Sequence, residues 1–283
     1  IDVQSVQHLE EIPFLPIEFF KSQKIITEKH QPEITFTSSG TTGSQASQHL
    51  VTDLSIYEKS FQKGFELSYG NPKDYCILAL LPSYLERKGS SLIYMAEKLI
   101  QKSGHPESGF YLDDLEKLSK VLKAQNEKGQ KCLLLGVSFA LLDLVEQFPQ
   151  KLKNTIIMET GGMKGRRKEM IREELHSILK SAFQVDQIHS EYGMTELLSQ
   201  AYAQQNGVFH CPPWMKVNIR DINDPLAILP EGKSGGINVI DLANIHSCSF
   251  IATQDLGRMK NNGFEVLGRF DNSDIRGCNL MVV

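Results

Sequence analysis

The chain has 283 residues, of which 41% are hydrophobic and 23% charged, with 30 Lys and Arg against 34 Asp and Glu. A chain of this length buries roughly three quarters of the surface its unfolded form exposes, which suits one large core with a small appendage rather than two full catalytic domains. A formal net charge of -4 offers no concentrated basic surface for nucleic acid, and no stretch approaches the ~20 apolar residues of a bilayer-spanning helix.

In chain order, the first signal is the short β-prone run Ile34-Thr35-Phe36, followed directly by Thr37-Ser38-Ser39-Gly40-Thr41-Thr42-Gly43. Two glycines let several backbone N–H groups turn toward one point, and five hydroxyls add donors, so the segment suits a polyphosphate; a flexible Ser/Thr turn is the alternative. No Lys follows Gly43 at the place a P-loop requires, which disfavours that class. The apolar runs Cys76 to Leu81, Cys132 to Leu135 and Thr155 to Met158 have the length of buried strands. Residues 167–183 read as an amphipathic helix, with Met170, Ile171, Leu175, Ile178, Leu179 and Phe183 on one stripe and Arg172, Glu173, Glu174 and Lys180 facing away. Strand and helix in alternation predict an α/β domain with a mainly parallel sheet.

A second signal, Ser190-Glu191-Tyr192-Gly193-Met194-Thr195-Glu196, follows a β-prone stretch at residues 185–188. Tyr192 offers a ring face for a purine, Thr195 a hydroxyl for a phosphate, and Glu196 a hard oxygen ligand for Mg²⁺; a core aromatic and a solvated carboxylate are the alternative. After Pro212-Pro213 the chain becomes turn-rich, with short strand candidates at residues 236–240 and 249–253. This predicts a core at 1–211, a smaller β-rich subdomain at 212–263 and a tail at 264–283. Ile1 is followed by no signal-peptide pattern, and the missing Met and apolar end suggest a trimmed product. Five widely spaced cysteines without a CxxC pair argue against a disulfide framework or a four-ligand zinc site, and fit free thiols in a reducing, cytoplasmic compartment.

The order of these motifs carries more than any one of them. Residues 37–43, Thr160-Gly161-Gly162-Met163-Lys164-Gly165, Tyr192 to Glu196, Asp255-Leu256-Gly257-Arg258 and Gly268-Arg269-Phe270-Asp271 together resemble the acyl-adenylate-forming superfamily. Within it, residues 12–21, 81–87 and 210–215 and the segment Asp274-Ile275-Arg276-Gly277-Cys278 resemble the LuxE-type acyl-protein synthetases, in which a Cys near the C-terminus becomes acylated.

That resemblance implies a large adenylate-forming domain with a mainly parallel sheet plus the β-rich subdomain. It implies ATP and Mg²⁺, a carboxylic acid substrate, a long-chain fatty acid for this branch, and an acyl-CoA-reductase-like protein partner. It also implies roles. Thr37, Ser38, Ser39, Gly40, Thr41, Thr42 and Gly43 would hold the ATP phosphates, and Gly161, Gly162 and Met163 would line the adenine and acyl pockets. Tyr192, with Gly193 and Met194 beside it, would lie against the adenine, Thr195 would touch the α-phosphate, and Glu196 would bind Mg²⁺. Asp255 would accept from the ribose hydroxyls, with Arg269 near the ribose or phosphate, and Cys278 would be the acyl acceptor. Two departures are expected: only twelve residues follow Asp271, so the full C-terminal lid of larger relatives and its Lys are absent, and Ser44-Gln45-Ala46 replaces a Lys common after Gly43. Two rival readings stay open, a phenylacetate-CoA-ligase-type enzyme that releases a free thioester and a non-catalytic nucleotide- or acyl-binding remnant.

Overall fold

The computed structural model describes residues 6–27, 31–38, 45–82, 89–161, 167 and 170–270. Near the N-terminus, β1 (Leu15–Pro16) leads into the single turn α1 (Phe19–Ser22), and β2 (Ile34–Thr37) pairs antiparallel with β3 (Gln48–Val51). The α/β part then runs α2 (Leu54–Tyr69), β4 (Cys76–Leu80), α3 (Ser91–Ser103), β5 (Gly109–Phe110), α4 (Leu115–Glu127), β6 (Cys132–Val137), α5 (Ser138–Gln147), β7 (Thr155–Thr160), α6 (Arg172–Phe183), β8 (His189–Tyr192) and β9 (Ala201–Ala203). Its sheet has the order β5-β4-β6-β7-β8-β9, parallel throughout except for β9.

Local chemistry explains these boundaries. The side chains of Asp53, Ser90 and Asp114 accept hydrogen bonds from Ser55 N, Ile93 N and Lys117 N, which supplies partners for otherwise orphaned donors at the starts of α2, α3 and α4. Every residue of β4 and β6 is buried, as parallel strands covered on both sides should be. Phe61 and Phe65 of α2, Leu99 of α3, Leu118 and Leu122 of α4, Leu141 and Leu144 of α5, and Leu175 and Leu179 of α6 share one core with these strands. The amphipathic helix begins later than expected, at Arg172, because Ile171 is extended (ψ 150°); Glu173 and Glu174 then occupy the first turn, where carboxylates favour the helix dipole.

The β-rich part comprises β10 (Met215–Arg220), β11 (Ser234–Asp241), β12 (Phe250–Lys260) and β13 (Gly263–Arg269). The order β10-β11-β12 is antiparallel, and the far edge of β12 pairs antiparallel with β13 and parallel with β1. Two findings differ from the sequence reading. Residues 264–269, read from the sequence as the start of a tail, lie in the strand β13, and the N-terminal Leu15–Pro16 segment, read as part of the α/β core, pairs with this sheet. Its core gathers Val217, Ile219, Ile237, Val239, Ile251 and Phe264 with Ile17 and Phe20.

The two cores meet along β8 and β9, because alternate residues of a strand face opposite sides. Tyr202 packs in the first core while Ala201 and Ala203 pack in the second. On β8, Tyr192 belongs to the second core, and its neighbour Glu191 is buried with the Thr160 hydroxyl 2.5 Å from Oε2. The adjacent strand carries Glu159, also buried, beside Arg172 Nε at 3.2 Å and His176 Nε2 at 3.6 Å. Burial opposes charge on both carboxylates. Around Glu159, the His176 bond and the Arg172 charge outweigh it and hold the pKa below the usual value. Glu191 has no such cation: burial pushes it up to about 7 against the Thr160 bond, and the Glu159 charge adds to the rise.

Between pH 4.5 and about 7 the folded chain therefore holds a proton on Glu191 that the unfolded chain releases, so stability falls as pH rises through this window and levels off above it. Glu191→Gln is expected to remove that slope. In urea unfolding at a series of pH values, the variant should gain about 3 kcal/mol on wild type between the two ends of the window.

Candidate functional site

The site is built where β7 and β8 end, beside the ribbon formed by β2 and β3. In open α/β sheets the carboxyl ends of parallel strands are where ligands bind, since the loops there diverge and helix starts face them. Gly161 directly follows β7 with φ +67°, a conformation that favours glycine, and its carbonyl accepts a bond from Ser138 Oγ at 2.9 Å. On the neighbouring strand, Ser190, Glu191 and Tyr192 lie in β8, just after the β-prone stretch at residues 185–188. Gly193 and Met194 follow, and the Leu197 N–H closes a turn onto the Met194 carbonyl at 3.1 Å. Thr195 and Glu196 sit in that turn.

The described start of the first sequence signal meets the second here. Thr37 ends β2, its N–H bonded to Gly89 O at 2.8 Å, and Ser38 Oγ accepts from Ser47 N at 2.8 Å. The Ser47 side chain in turn hydrogen-bonds Glu196. His49, on β3, places Nδ1 2.8 Å from Thr195 O. Thus the start of the Ser/Thr segment, Thr37 and Ser38, is tied to Thr195 and Glu196 through Ser47 and His49. Ser39, Gly40, Thr41, Thr42, Gly43, Gly162, Met163 and Cys278 lie outside the described residues.

The seam with the second sheet adds a charged cluster. Tyr192 Oη donates to Asp255 Oδ2 at 2.8 Å, and Arg269 Nε lies 3.7 Å from Asp255 Oδ1. Tyr192 is 8% exposed, with its ring edge-on to Phe209 and Phe264, while Arg269 is largely exposed. Burial pushes the Asp255 carboxyl up, against the Tyr192 bond and the charges of Arg269 and Arg220. Burial likewise pushes Glu196 up, against the Ser47 bond and the charges of Arg269 and Lys21. Two desolvated carboxylates sharing one nearby arginine suit hydroxyl donors or a cation, since either would relieve the cost of their charge.

Among the described residues, no three His, Cys, Asp or Glu side chains could hold a metal ion together. A buried carboxylate such as Glu196 still fits Mg²⁺, which is commonly held by one or two carboxylates plus substrate phosphates rather than by an all-protein cage. His189 and the described cysteines serve packing. His189 Nδ1 lies 3.3 Å from Tyr69 Oη, and burial lowers its pKa to about 4. Burial pushes the Cys211 thiol up to about 12 and raises that of Cys248, and Cys76 and Cys132 are fully buried on paired positions of β4 and β6.

Sequence reasoning missed His49, Ser47 and Asp241. Along β3, His49 alternates with Gln48 and shares its face with Val51, so period-2 patterning marked it as inward-facing. Asp241 gave a weaker sign, a carboxylate ending an apolar run. It is fully buried and accepts from Leu198 N, Ser199 N, Ser199 Oγ and Ala243 N at 2.6 to 3.1 Å.

Comparisons with known proteins agree with this architecture. The ATP-bound MatB of Rhodopseudomonas palustris is similar in fold, with a TM-score of 0.63 and 14% identity over 83% of this chain and 47% of that one. O-succinylbenzoate coenzyme A synthetase of Bacillus subtilis, in complex with ATP and magnesium ion, gives 0.56 and 18% over 83% and 49%. A luciferase-like enzyme of the mealworm Zophobas morio gives 0.55 and 16% over 87% and 59%. At these identities the likeness is one of fold, and the chain spans about half the length of the first two. No curated protein matches the sequence. No helix of the described residues is long and apolar enough to cross a membrane. The family model of the acyl-protein synthetase LuxE matches residues 2–283, and the chain belongs to that family.

Proposed function

We propose that the chain is an ATP-dependent acyl-protein synthetase: it activates a long-chain fatty acid as acyl-AMP, moves the acyl group to its own Cys278, and presents the thioester to a reductase. The observation that carries the reading is the Tyr192, Asp255, Arg269 and Glu196 cluster at the seam of the two sheets, in a chain of the LuxE family.

The chemistry gives each group a task. A carboxylate is a poor electrophile, so its oxygen first attacks the ATP α-phosphorus, forming the mixed anhydride and expelling pyrophosphate. Asp255 accepts hydrogen bonds from the ribose hydroxyls, a role suited to a buried acceptor held by a single Tyr192 bond. Arg269, at the solvent side of that pair, supplies positive charge to the ribose or phosphate. Thr195 and the Ser/Thr segment at residues 37–43 donate to the phosphates, and Gly161, Gly162 and Met163 line the adenine and acyl pockets. Glu196 would hold Mg²⁺, which supplies charge stabilisation at the phosphates.

In the second half, the Cys278 thiolate attacks the acyl carbonyl and AMP leaves. The other cysteines support this assignment by exclusion: Cys76 and Cys132 are fully buried, and burial opposes ionisation of Cys211 and Cys248. Arg276 stands two residues from Cys278 in the sequence, and a neighbouring cation favours the thiolate.

With ATP, Mg²⁺ and labelled tetradecanoate, wild type should acquire a hydroxylamine-labile label and Cys278→Ala should not. Equal labelling of the two, or none of wild type, defeats the thioester reading. Steady coenzyme A-dependent turnover by Cys278→Ala would favour the free-thioester alternative. Glu196→Gln should raise the Mg²⁺ concentration for half-maximal activity about ten- to hundredfold, as loss of a carboxylate near a metal typically does, measured by Mg²⁺ titration of pyrophosphate release.

A further inference from the structure

A cavity of about 10 Å³ lies between β3 and the short turn at residues 242–244, with Leu198 also in its lining. That is room for about one water molecule. Its wall includes His49, Thr52, Asn244 and Ser247. Each of the four carries a buried polar atom without a hydrogen-bond partner among the described residues: His49 Nε2, Thr52 Oγ1, Asn244 Oδ1 and Ser247 Oγ. Seven such atoms occur among the described residues, and four of them belong to residues that line this one cavity.

The hydrogen-bonding roles of these atoms follow from what their side chains do on the other side. His49 Nδ1 faces the Thr195 carbonyl, which only accepts, so Nδ1 carries the proton and Nε2 is a bare acceptor. Asn244 Nδ2 donates to the Glu196 carbonyl at 2.8 Å, which leaves its Oδ1 as an acceptor. The Thr52 and Ser247 hydroxyls can both donate. Two acceptors and two hydroxyl donors form the complement of one water, which donates twice and accepts twice. An alkali cation fits the set poorly, because imidazole nitrogen is a weak ligand for it. Burial, which takes the His49 pKa down to about 4, keeps the ring in the neutral form that this arrangement needs.

We propose that this cavity binds a single structural water, and that the water makes His49 and Asn244 positioning residues for the Thr195-Glu196 segment. By occupying His49 Nε2 and Asn244 Oδ1 it fixes the tautomer of one and the amide orientation of the other. Those two choices aim Nδ1–H and Nδ2–H at the consecutive carbonyls of Thr195 and Glu196. The phosphate-facing and metal-facing side chains are thereby set from behind by groups that never touch a ligand. The water site stands on geometry alone; its consequence for ATP rests on the function proposed above.

The test is a crystal structure of the full chain at a resolution that shows ordered waters, together with ¹⁵N spectra of its histidines. A single water should lie within hydrogen-bonding distance of His49 Nε2, Asn244 Oδ1 and at least one of the two hydroxyls, with Nδ1 the protonated nitrogen. Thr52→Val combined with Ser247→Ala removes both donors without touching Thr195 or Glu196. The pair should lose the water, shift the His49 Nε2 signal and raise the KM for ATP several-fold; Thr52→Val alone should do the same more weakly if the pair folds poorly. A dry cavity, a peak with cation coordination distances, or an Nε2-protonated His49 would overturn the site. Loss of the water with an unmoved Nε2 signal would overturn the positioning role even if the enzyme bound no ATP at all.

Discussion

Asp241 ends β11 with no exposed surface, and its two carboxylate oxygens accept from the Leu198 and Ser199 amides, the Ser199 hydroxyl and the Ala243 amide. Taking a carboxylate out of water costs several kcal/mol unless donors replace the solvent, and this one is met on both oxygens. The Ser199 hydroxyl also meets Ser60 Oγ of α2 at 2.9 Å, and Ser60 Oγ accepts from Trp214 Nε1. One carboxylate therefore ties the second sheet to the segment between β8 and β9, to a helix of the first core, and to the entry into β10. The segment it clamps directly follows Thr195 and Glu196.

The site inherits its geometry from that clamp. With residues 198–199 held by Asp241, and His49 and Asn244 gripping the Thr195 and Glu196 carbonyls, the turn has little freedom. The cost appears as two strained charges, Asp255 and Glu196, both pushed toward the neutral form by burial with one exposed arginine between them and solvent. Such groups gain most from a ligand that brings hydroxyl donors and a cation. On the function proposed above, a nucleotide with its metal would bring both.

Much of the fold could be read from patterning. The runs starting at Cys76 and Cys132 became β4 and β6 because strands buried on both faces are apolar throughout, and the run starting at Thr155 became β7, which adds the buried Glu159 and Thr160 at its end. The reading weakened where function intrudes. His189–Tyr192 is a strand made mostly of polar residues, stabilised by partners on two cores that no local pattern displays. β12 runs on past the apolar stretch through Gln254, Asp255 and Arg258, because its neighbours β11 and β13, rather than its own sequence, supply the pairing. The motifs gave Tyr192, Thr195, Glu196, Asp255 and Arg269 as site residues, and the described structure brings them to one seam. Patterning marks His49 as inward-facing but does not reveal the roles of His49 and Asp241, which are set by contacts far along the chain, 146 residues away for His49 and Thr195.

The central claim is that the Tyr192 and Asp255 seam is a nucleotide site in which the acid is activated before any thiol takes part. The most direct measurement is fatty-acid-dependent exchange of pyrophosphate into ATP by the full chain, compared between Asp255→Ala and Cys278→Ala. The account predicts that exchange survives in Cys278→Ala and falls to background in Asp255→Ala with the fold intact. Exchange that persists in Asp255→Ala, or that vanishes in Cys278→Ala, would contradict it.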